Sequence, residues 1–416
     1  MSFPRMLRIR QQFERPRIED VAQETTYQLS RLSLGSQIQG GQTVAITVGS
    51  RGIANIATMT KAVVEHIKSL GGIPLIIPAM GSHGGATAEG QKKLIEGFGV
   101  TEDFLGCEIR SSMETVIVAE TSQGIPVHFD KNAYAADHLI IMGRIKPHTG
   151  FVGEIESGLH KMMLIGLGKH AGALMYHRAI KNYSFGEIIR SVAEIVLEKC
   201  KVLAGVAIVE NAYDETALIE AIPPSQFYDR EKELLKQALA WMPKLPFPEA
   251  DLLIIDRIGK NISGTGMDTN IIGRKYNDHV ATEKDNANVK RIFVRSLTEE
   301  TKGNATGIGI AEFVLQSCVD QINTESTRIN CITSSHPTGA MIPCVYQNDR
   351  DAITDALQTI GLTEPEDARV MHIQDTLHLA ELEISEAYLK NKTAHSFEIM
   401  SGPYEFEMNS GTIKNI

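Results

Sequence analysis

Short runs of aliphatic and β-branched residues alternate along this chain with stretches whose apolar positions recur at helical spacing. Thr43–Val48 (TVAITV) is apolar at nearly every position, the pattern of a strand buried on both faces. Gly49-Ser50-Arg51-Gly52 follows, then helical periodicity over 56–70, which Gly71-Gly72 stops. Ile73–Pro78 reads as the next strand, 81–85 as a glycine-rich loop, and 87–98 as a helix with Glu89 in its first turn, where a negative charge meets the positive end of the helix dipole. Further strands are expected over 116–119, 139–142 and 205–209. Strand, crossover helix, strand predicts a parallel sheet covered on both sides.

From Pro223 to Pro248 a polar helix, about 225–240, is bracketed by proline-rich segments and reads as a linker. A second α/β unit then opens with a strand over 251–256 and continues with strands over 291–294 and 369–373; the tail after Ala380 can return to either domain. A length of 416 residues exceeds one ordinary core. The expected fold is therefore α/β, with two α/β domains, 1–240 and 241–416, built on mainly parallel sheets with an active-site cleft between them.

Composition narrows the partners. The net charge of −10 disfavours a broad basic footprint for nucleic acid, though it leaves room for a local anion pocket. Five cysteines without CxxC spacing argue against a disulfide scaffold or a thiolate zinc site. The first residues carry no apolar signal-like core, and no run reaches the roughly 20 apolar residues of a membrane span. A cytoplasmic protein with a small-molecule partner is expected, without nucleic acid or membrane; homo-oligomerisation stays open.

The candidate chemistry sits where strands give way to loops. Ser50-Arg51, Gly81-Ser82-His83 and Lys146-Pro147-His148 each follow a predicted strand, and in open α/β sheets ligands bind beyond the carboxyl ends of strands. The glycines permit positive φ and close backbone approach, so 81–85 entering a helix is a plausible anion cradle. His83 and His148 occupy equivalent positions after different strands. Two imidazoles facing one carbon would give a racemase a proton carrier for each enantiomer; the plainer reading is that each ring bonds a loop. Lys161 stands in an apolar turn, where a lysine can act as nucleophile or tether, or can simply send its head to water. His160, His170 and His177 add candidate metal ligands without the i, i+4 spacing of a zinc clamp, and His160 and His170 read as surface residues. In the second domain Lys260, between glycines after a strand, could hold a carboxylate or phosphate.

In this order the motifs resemble the nickel-dependent lactate racemase family over most of the chain: Gly49-Ser50-Arg51, Gly81-Ser82-His83 with Ala86-Thr87-Ala88-Glu89, Lys146-Pro147-His148 with Gly150-Phe151, then Lys161, His177 and Lys260. The resemblance implies a racemase or epimerase of a 2-hydroxy acid working through a nickel-pincer nucleotide. His83 and His148 would be its acid/base pair, Arg51 and Lys260 its carboxylate clamp, and His177 its nickel ligand. Lys161, Ser50, Gly81 and Ser82 would surround the cofactor, which is held covalently or non-covalently at Lys161 and is expected to be missing from a chain made without the cofactor-making enzymes. The motifs depart from the family at Gly158-Leu159-His160-Lys161, which stands in place of a Gly-Gly-Arg-Lys tether, so that His160 or His170 could join the metal site. A zinc-dependent hydrolase or lyase and a non-catalytic anion or nucleotide binder are the alternatives.

Overall fold

The computed structural model describes residues 2–50, 52–390, 397–406, 408–409 and 411–416. It divides into two compact units, Arg15–Met242, and Met1–Glu14 together with Pro243–Ile416. Strands are numbered along the chain.

The first unit is built on a five-stranded sheet in the order β3 (Ile73–Pro78), β2 (Thr43–Val48), β6 (His138–Arg144), β7 (Val202–Glu210), β8 (Thr216–Ile222). All neighbours are parallel except β7 and β8. Alternate residues of each strand enter different cores. Ala45, Leu75, Ile77, Leu139, Ile141 and Val209 pack on one face. Val44, Ile46, Ile76, Ile140, Met142 and Ile208 pack on the other. The unbroken apolar runs of the sequence follow from this two-sided burial. Helices α1 (Val21–Ser30) and α2 (Ile56–Ser69) cover the second face, with α3 (Ala88–Glu96) beside them. The first face is covered by α5 (Phe185–Lys199) and α6 (Phe227–Trp241), and α4 (Lys169–Ala179) lies on the same side.

Two expectations are corrected here. The helix read as a linker is α6, and it belongs to the core: Phe227, Leu234, Leu235 and Ala238 are buried against the sheet. Its polar stripe is what made it look like a connector. The strand over 116–119 is β4 (Thr115–Glu120), which leaves the main sheet to form an antiparallel pair with β5 (Pro126–Asp130).

The second unit carries an eight-stranded sheet. Its order is β12 (Cys344–Tyr346), β11 (Phe313–Leu315), β10 (Asn288–Leu297), β9 (Glu249–Ile258), β13 (Val370–Ile373), β14 (Glu381–Ser385), β1 (Met6–Gln11), β15 (Phe397–Tyr404). The five strands from β12 to β13 are parallel, and the last three run antiparallel. The first fourteen residues, assigned from sequence to the first domain, thus belong to this unit, and Met6–Gln11 pair inside its sheet. The signal was the alternation Met-Leu-Arg-Ile-Arg: Met6, Leu7 and Ile9 are buried, while Arg8 and Arg10 reach Glu381 on β14 at 3.1 and 2.8 Å. The tail after Ala380 supplies β14 and β15 to the same sheet.

A buried charge cluster ties these strands together. His372 bonds Asp256 through Nε2 at 2.7 Å and Glu383 through Nδ1 at 3.2 Å. Arg295 contacts Asp256 and grips Asp349 through Nε and Nη2 at 2.9 and 3.0 Å. Asp349 and Asp256 in turn accept the backbone N–H groups of Ile413 and Ile416 at 2.9 and 2.8 Å. Burial opposes a charge on His372, but the two carboxylates outweigh it and its pKa is raised. A raised folded-state pKa stabilises fully below the ordinary value of about 6.5, and that stability is lost as pH rises through the raised value. Above about pH 6.5, unfolding free energy measured in denaturant is expected to fall with rising pH, by up to about 1.4 kcal/mol per pH unit, while the folded ring keeps the proton that the unfolded ring has lost. His372→Gln is expected to remove that component of the slope.

Candidate active site at the strand ends of the first unit

From β2 the chain moves to β3 on one side and later to β6 on the other, so the connections diverge at β2. Such a switch point leaves a crevice beyond the carboxyl ends of the strands. Ser50 follows β2, Gly81-Ser82-His83 follow β3, and His148 follows β6. Three of the candidate loops therefore leave adjacent parallel strands in the same direction. Ser50 and His83 meet directly, with Oγ 2.5 Å from Nδ1. Ser82 lies in the same turn, its carbonyl accepting the Ala86 N–H at 3.0 Å.

A helical turn, Leu159–Lys161, runs into a π-helical turn, Met162–Gly166, and this segment lies across those strand ends. Glycines let it approach. A methyl at Gly143, on β6, would stand 3.0 Å from Met162 Cγ and 3.1 Å from the Gly158 carbonyl carbon. One at Gly81 would meet Ile165 Cγ2 at 3.0 Å, and the Gly81 N–H donates to the Gly166 carbonyl at 3.3 Å. π-Turns are rare and concentrate at functional sites. Lys161 is placed at the start of this one.

Phe151 gathers the remaining candidates. Its ring stacks on His148 with centroids 4.1 Å apart and on Phe185 at 4.1 Å, lies 5.7 Å from the His177 ring, and has the Lys161 ammonium 5.8 Å from its centroid. His148, Lys161 and His177, which are distant in sequence, thus surround one aromatic ring. His177, on α4, has its pKa pushed down to about 4 by burial, with further lowering from Lys161 and Lys181. It is neutral at physiological pH.

His148 is held by its own loop. Its Nδ1 accepts the N–H groups of Gly150 and Phe151, each at 3.0 Å, and its backbone N–H donates to buried Glu156 at 2.8 Å. With Nδ1 used as an acceptor, the neutral ring carries its proton on Nε2. In this arrangement His148 is a donor through Nε2.

Other candidates fall elsewhere. His160 is buried, not on the surface: Glu231 on α6 takes both its Nδ1 and its backbone N–H, and Phe227 and Tyr228 meet the ring edge-on. That contact fixes the turn from which Lys161 projects. His170 is half-buried on α4. Lys260 lies in the other unit, where Nζ donates to the Gly264 carbonyl at 2.7 Å and the backbone N–H to Thr301 Oγ1 at 3.1 Å. Arg51 lies outside the described residues. Among the described residues no three His, Cys, Asp or Glu side chains converge as a metal site. In the sequence Phe151 stands only as part of a motif, and Glu156 and Glu231 carry no signal in their spacing; their roles arise from tertiary contact.

The mainly parallel α/β architecture and this crevice place the chain among proteins of the lactate racemase fold. It is similar to the solved lactate racemase apoprotein from Thermoanaerobacterium thermosaccharolyticum, with a TM-score of 0.51 and 14% identity over 87% of this chain and 93% of that one. Within that class, residues 28–186 match the family model of the lactate racemase N-terminal domain, which spans Ser50, His83, His148, Lys161 and His177. The resemblance read from the sequence holds. No curated protein matches the chain. No helix among the described residues is long and apolar enough to cross a membrane.

Gly158 tests the packing that carries Lys161. Its φ is +125°, and a methyl there would stand 2.1 Å from Glu231 Oε1 and 2.3 Å from Ile145 Cδ1. Gly158→Ala is expected to destabilise the protein by roughly 2–5 kcal/mol, the sum of backbone strain and overpacking. Denaturant unfolding checks this.

Proposed function

We propose that the protein is a racemase or epimerase of a 2-hydroxy acid, with its proton chemistry at His83 and His148. The supporting observation is the shared crevice: Ser50–His83 and His148 follow three neighbouring strand ends, and Lys161 and His177 join His148 around Phe151. The lactate racemase domain match over 28–186 supports a lactate racemase-like activity.

The residues fit a cofactor that brings its own metal and asks the protein for one nitrogen. His177, neutral at working pH, is that donor, and Lys161 stands near it as a covalent tether or a countercharge for the phosphate of a nucleotide. The nickel-pincer nucleotide, when bound, would supply an acceptor for hydride from the substrate Cα, leaving a planar 2-keto acid that can be reduced on either face. The chain's own part is binding and proton transfer. His83 takes the substrate hydroxyl proton, with Ser50 fixing its Nδ1 so that Nε2 is the reacting nitrogen. His148 presents its Nε2–H to the substrate oxygen, and exchanges roles with His83 for the opposite enantiomer when Nδ1 releases the Gly150 and Phe151 amides. Arg51 is proposed to hold the substrate carboxylate on the resemblance, because arginine offers a planar fork. Ser82 and the backbone of Gly81 are proposed beside the cofactor on the same ground. A zinc hydrolase or lyase would need three converging protein donors, which the described residues do not supply.

The test uses protein co-produced with the cofactor-making enzymes and a panel of single-enantiomer 2-hydroxy acids followed by chiral chromatography. His83→Gln is expected to lose about 100- to 10,000-fold in kcat, the range of a lost general base. His148→Gln, which keeps a donor N–H, is expected to retain more activity than His148→Ala, and His170→Ala to match the parent. Full activity in both His83→Gln and His148→Ala would remove the mechanism. In the same preparations, His177→Ala is expected to lower bound nickel measured by elemental analysis; an unchanged nickel content would remove His177 as the donor.

A further inference from the structure

Lys169 has no part in the chemistry above, yet it is an expensive residue. Its side chain is fully buried, and it opens α4 with a φ of +53°, a conformation that costs a non-glycine residue free energy. A buried ammonium is tolerated only where its donors and charge are met, and here two hydrogen bonds and one carboxylate contact surround it. Nζ donates to the Pro78 carbonyl at the end of β3 and to Gln91 Oε1 on α3 at 3.1 Å, and lies 3.1 Å from Asp130 Oδ2 at the end of β5. Burial lowers its pKa, and Asp130 opposes that shift.

Gln91 is fully buried as well. Since lysine can only donate, the atom facing it must be Oε1, so the amide nitrogen points the other way. There Nε2 donates to the Gly81 carbonyl at 2.9 Å and to the His83 carbonyl at 3.3 Å. One continuous buried chain of contacts therefore runs from the first residue of the helix that carries His177, through an ammonium and an amide, to the backbone on both sides of Ser82. Asp130 is anchored at its other oxygen by the Ala133 N–H at 2.8 Å, which gives the ammonium a fixed counterion.

We infer that Lys169 and Gln91 are positioning residues: together they hold the backbone of the His83 turn in fixed relation to the helix that bears His177. The inference rests on the proposed function for what the two histidines do, but the linkage itself is a statement about the fold. A plain core ion pair would need only Lys169 and Asp130. The inserted amide, with its donor end spent wholly on the Gly81 and His83 carbonyls, is what directs the arrangement at the site.

The variant that separates these is Gln91→Met, which keeps the volume and leaves Lys169 with Asp130 and Pro78. In histidine-labelled full-length protein, NMR is expected to show the His83 ring titration displaced by about half a pH unit or more and the amides of 81–86 exchanging at least about tenfold faster, with the His372 ring unmoved. In the cofactor-loaded enzyme the same variant is expected to lower kcat about tenfold or more while KM stays within about twofold, the pattern of a misplaced reacting group. Should Gln91→Met fail to fold, Gln91→Glu keeps the acceptor toward Lys169 but has no hydrogen for the two carbonyls, and is expected to disturb His83 in the same way. An unchanged His83 titration and unchanged loop exchange in a folded variant would overturn the inference. Because these NMR measurements need no turnover, an inactive parent enzyme would overturn the racemase reading and leave the linkage to stand or fall on its own.

Discussion

The close passage of the Gly158–Gly166 segment across the ends of β3, β2 and β6 is the constraint on which the rest of the site depends. It is allowed by the absence of side chains at Gly143 and Gly81 and by a left-handed Gly158. It is held down by Glu231, which reaches from α6 to both nitrogens offered by His160. Because that segment lies close, Lys161 stands beside the Phe151 ring and α4 begins next to the end of β3. His177 then arrives two turns later beside the same ring, in surroundings that keep it uncharged. Close packing converts into chemistry here because the approach is made by backbone, which cannot yield as a flexible side chain can.

The two candidate proton carriers are not equivalent in their settings. His83 leans on a serine hydroxyl, which can donate to Nδ1 or accept from it, so the ring can change tautomer at little cost. His148 has its Nδ1 occupied by two backbone amides, which it must release before Nε2 can act as a base. The proposed acid/base pair thus joins one adaptable ring with one ring held by its loop. The pinning also explains the Phe151 stack: a ring fixed by its own backbone offers a stable face against which aromatic side chains can pack.

Much of this was legible in the chain. Continuous apolar runs identified β2, β3 and β6 because a strand covered on both faces leaves no polar alternation, and the loops that follow them held the histidines found at the crevice. The lactate racemase resemblance, carried by the same loops, agrees with the matched domain over 28–186. What was missed shares one cause, namely that the deciding contact lies far away in sequence. The α6 helix looked like a linker because its buried stripe is narrow and includes the charged Glu231, whose partner is some 71 residues earlier. The first strand was overlooked because its partners, β14 and β15, close the chain. His160 looked like a surface residue because nothing nearby announces the carboxylate that buries it. Lys169 and Gln91 are ordinary polar residues in sequence, and only the fold makes them a pair.

The most direct test of the central claim is a crystal structure of the chain co-produced with the enzymes that make the nickel-pincer nucleotide. The account predicts the cofactor at the carboxyl ends of β3, β2 and β6, with a His177 ring nitrogen bonded to nickel, Lys161 against the nucleotide, and His83 and His148 reaching the metal-bearing ring from separate strand ends. Nickel held by side chains away from those strand ends, with the His148–Phe151–Phe185 stack closed over an empty crevice, would contradict it.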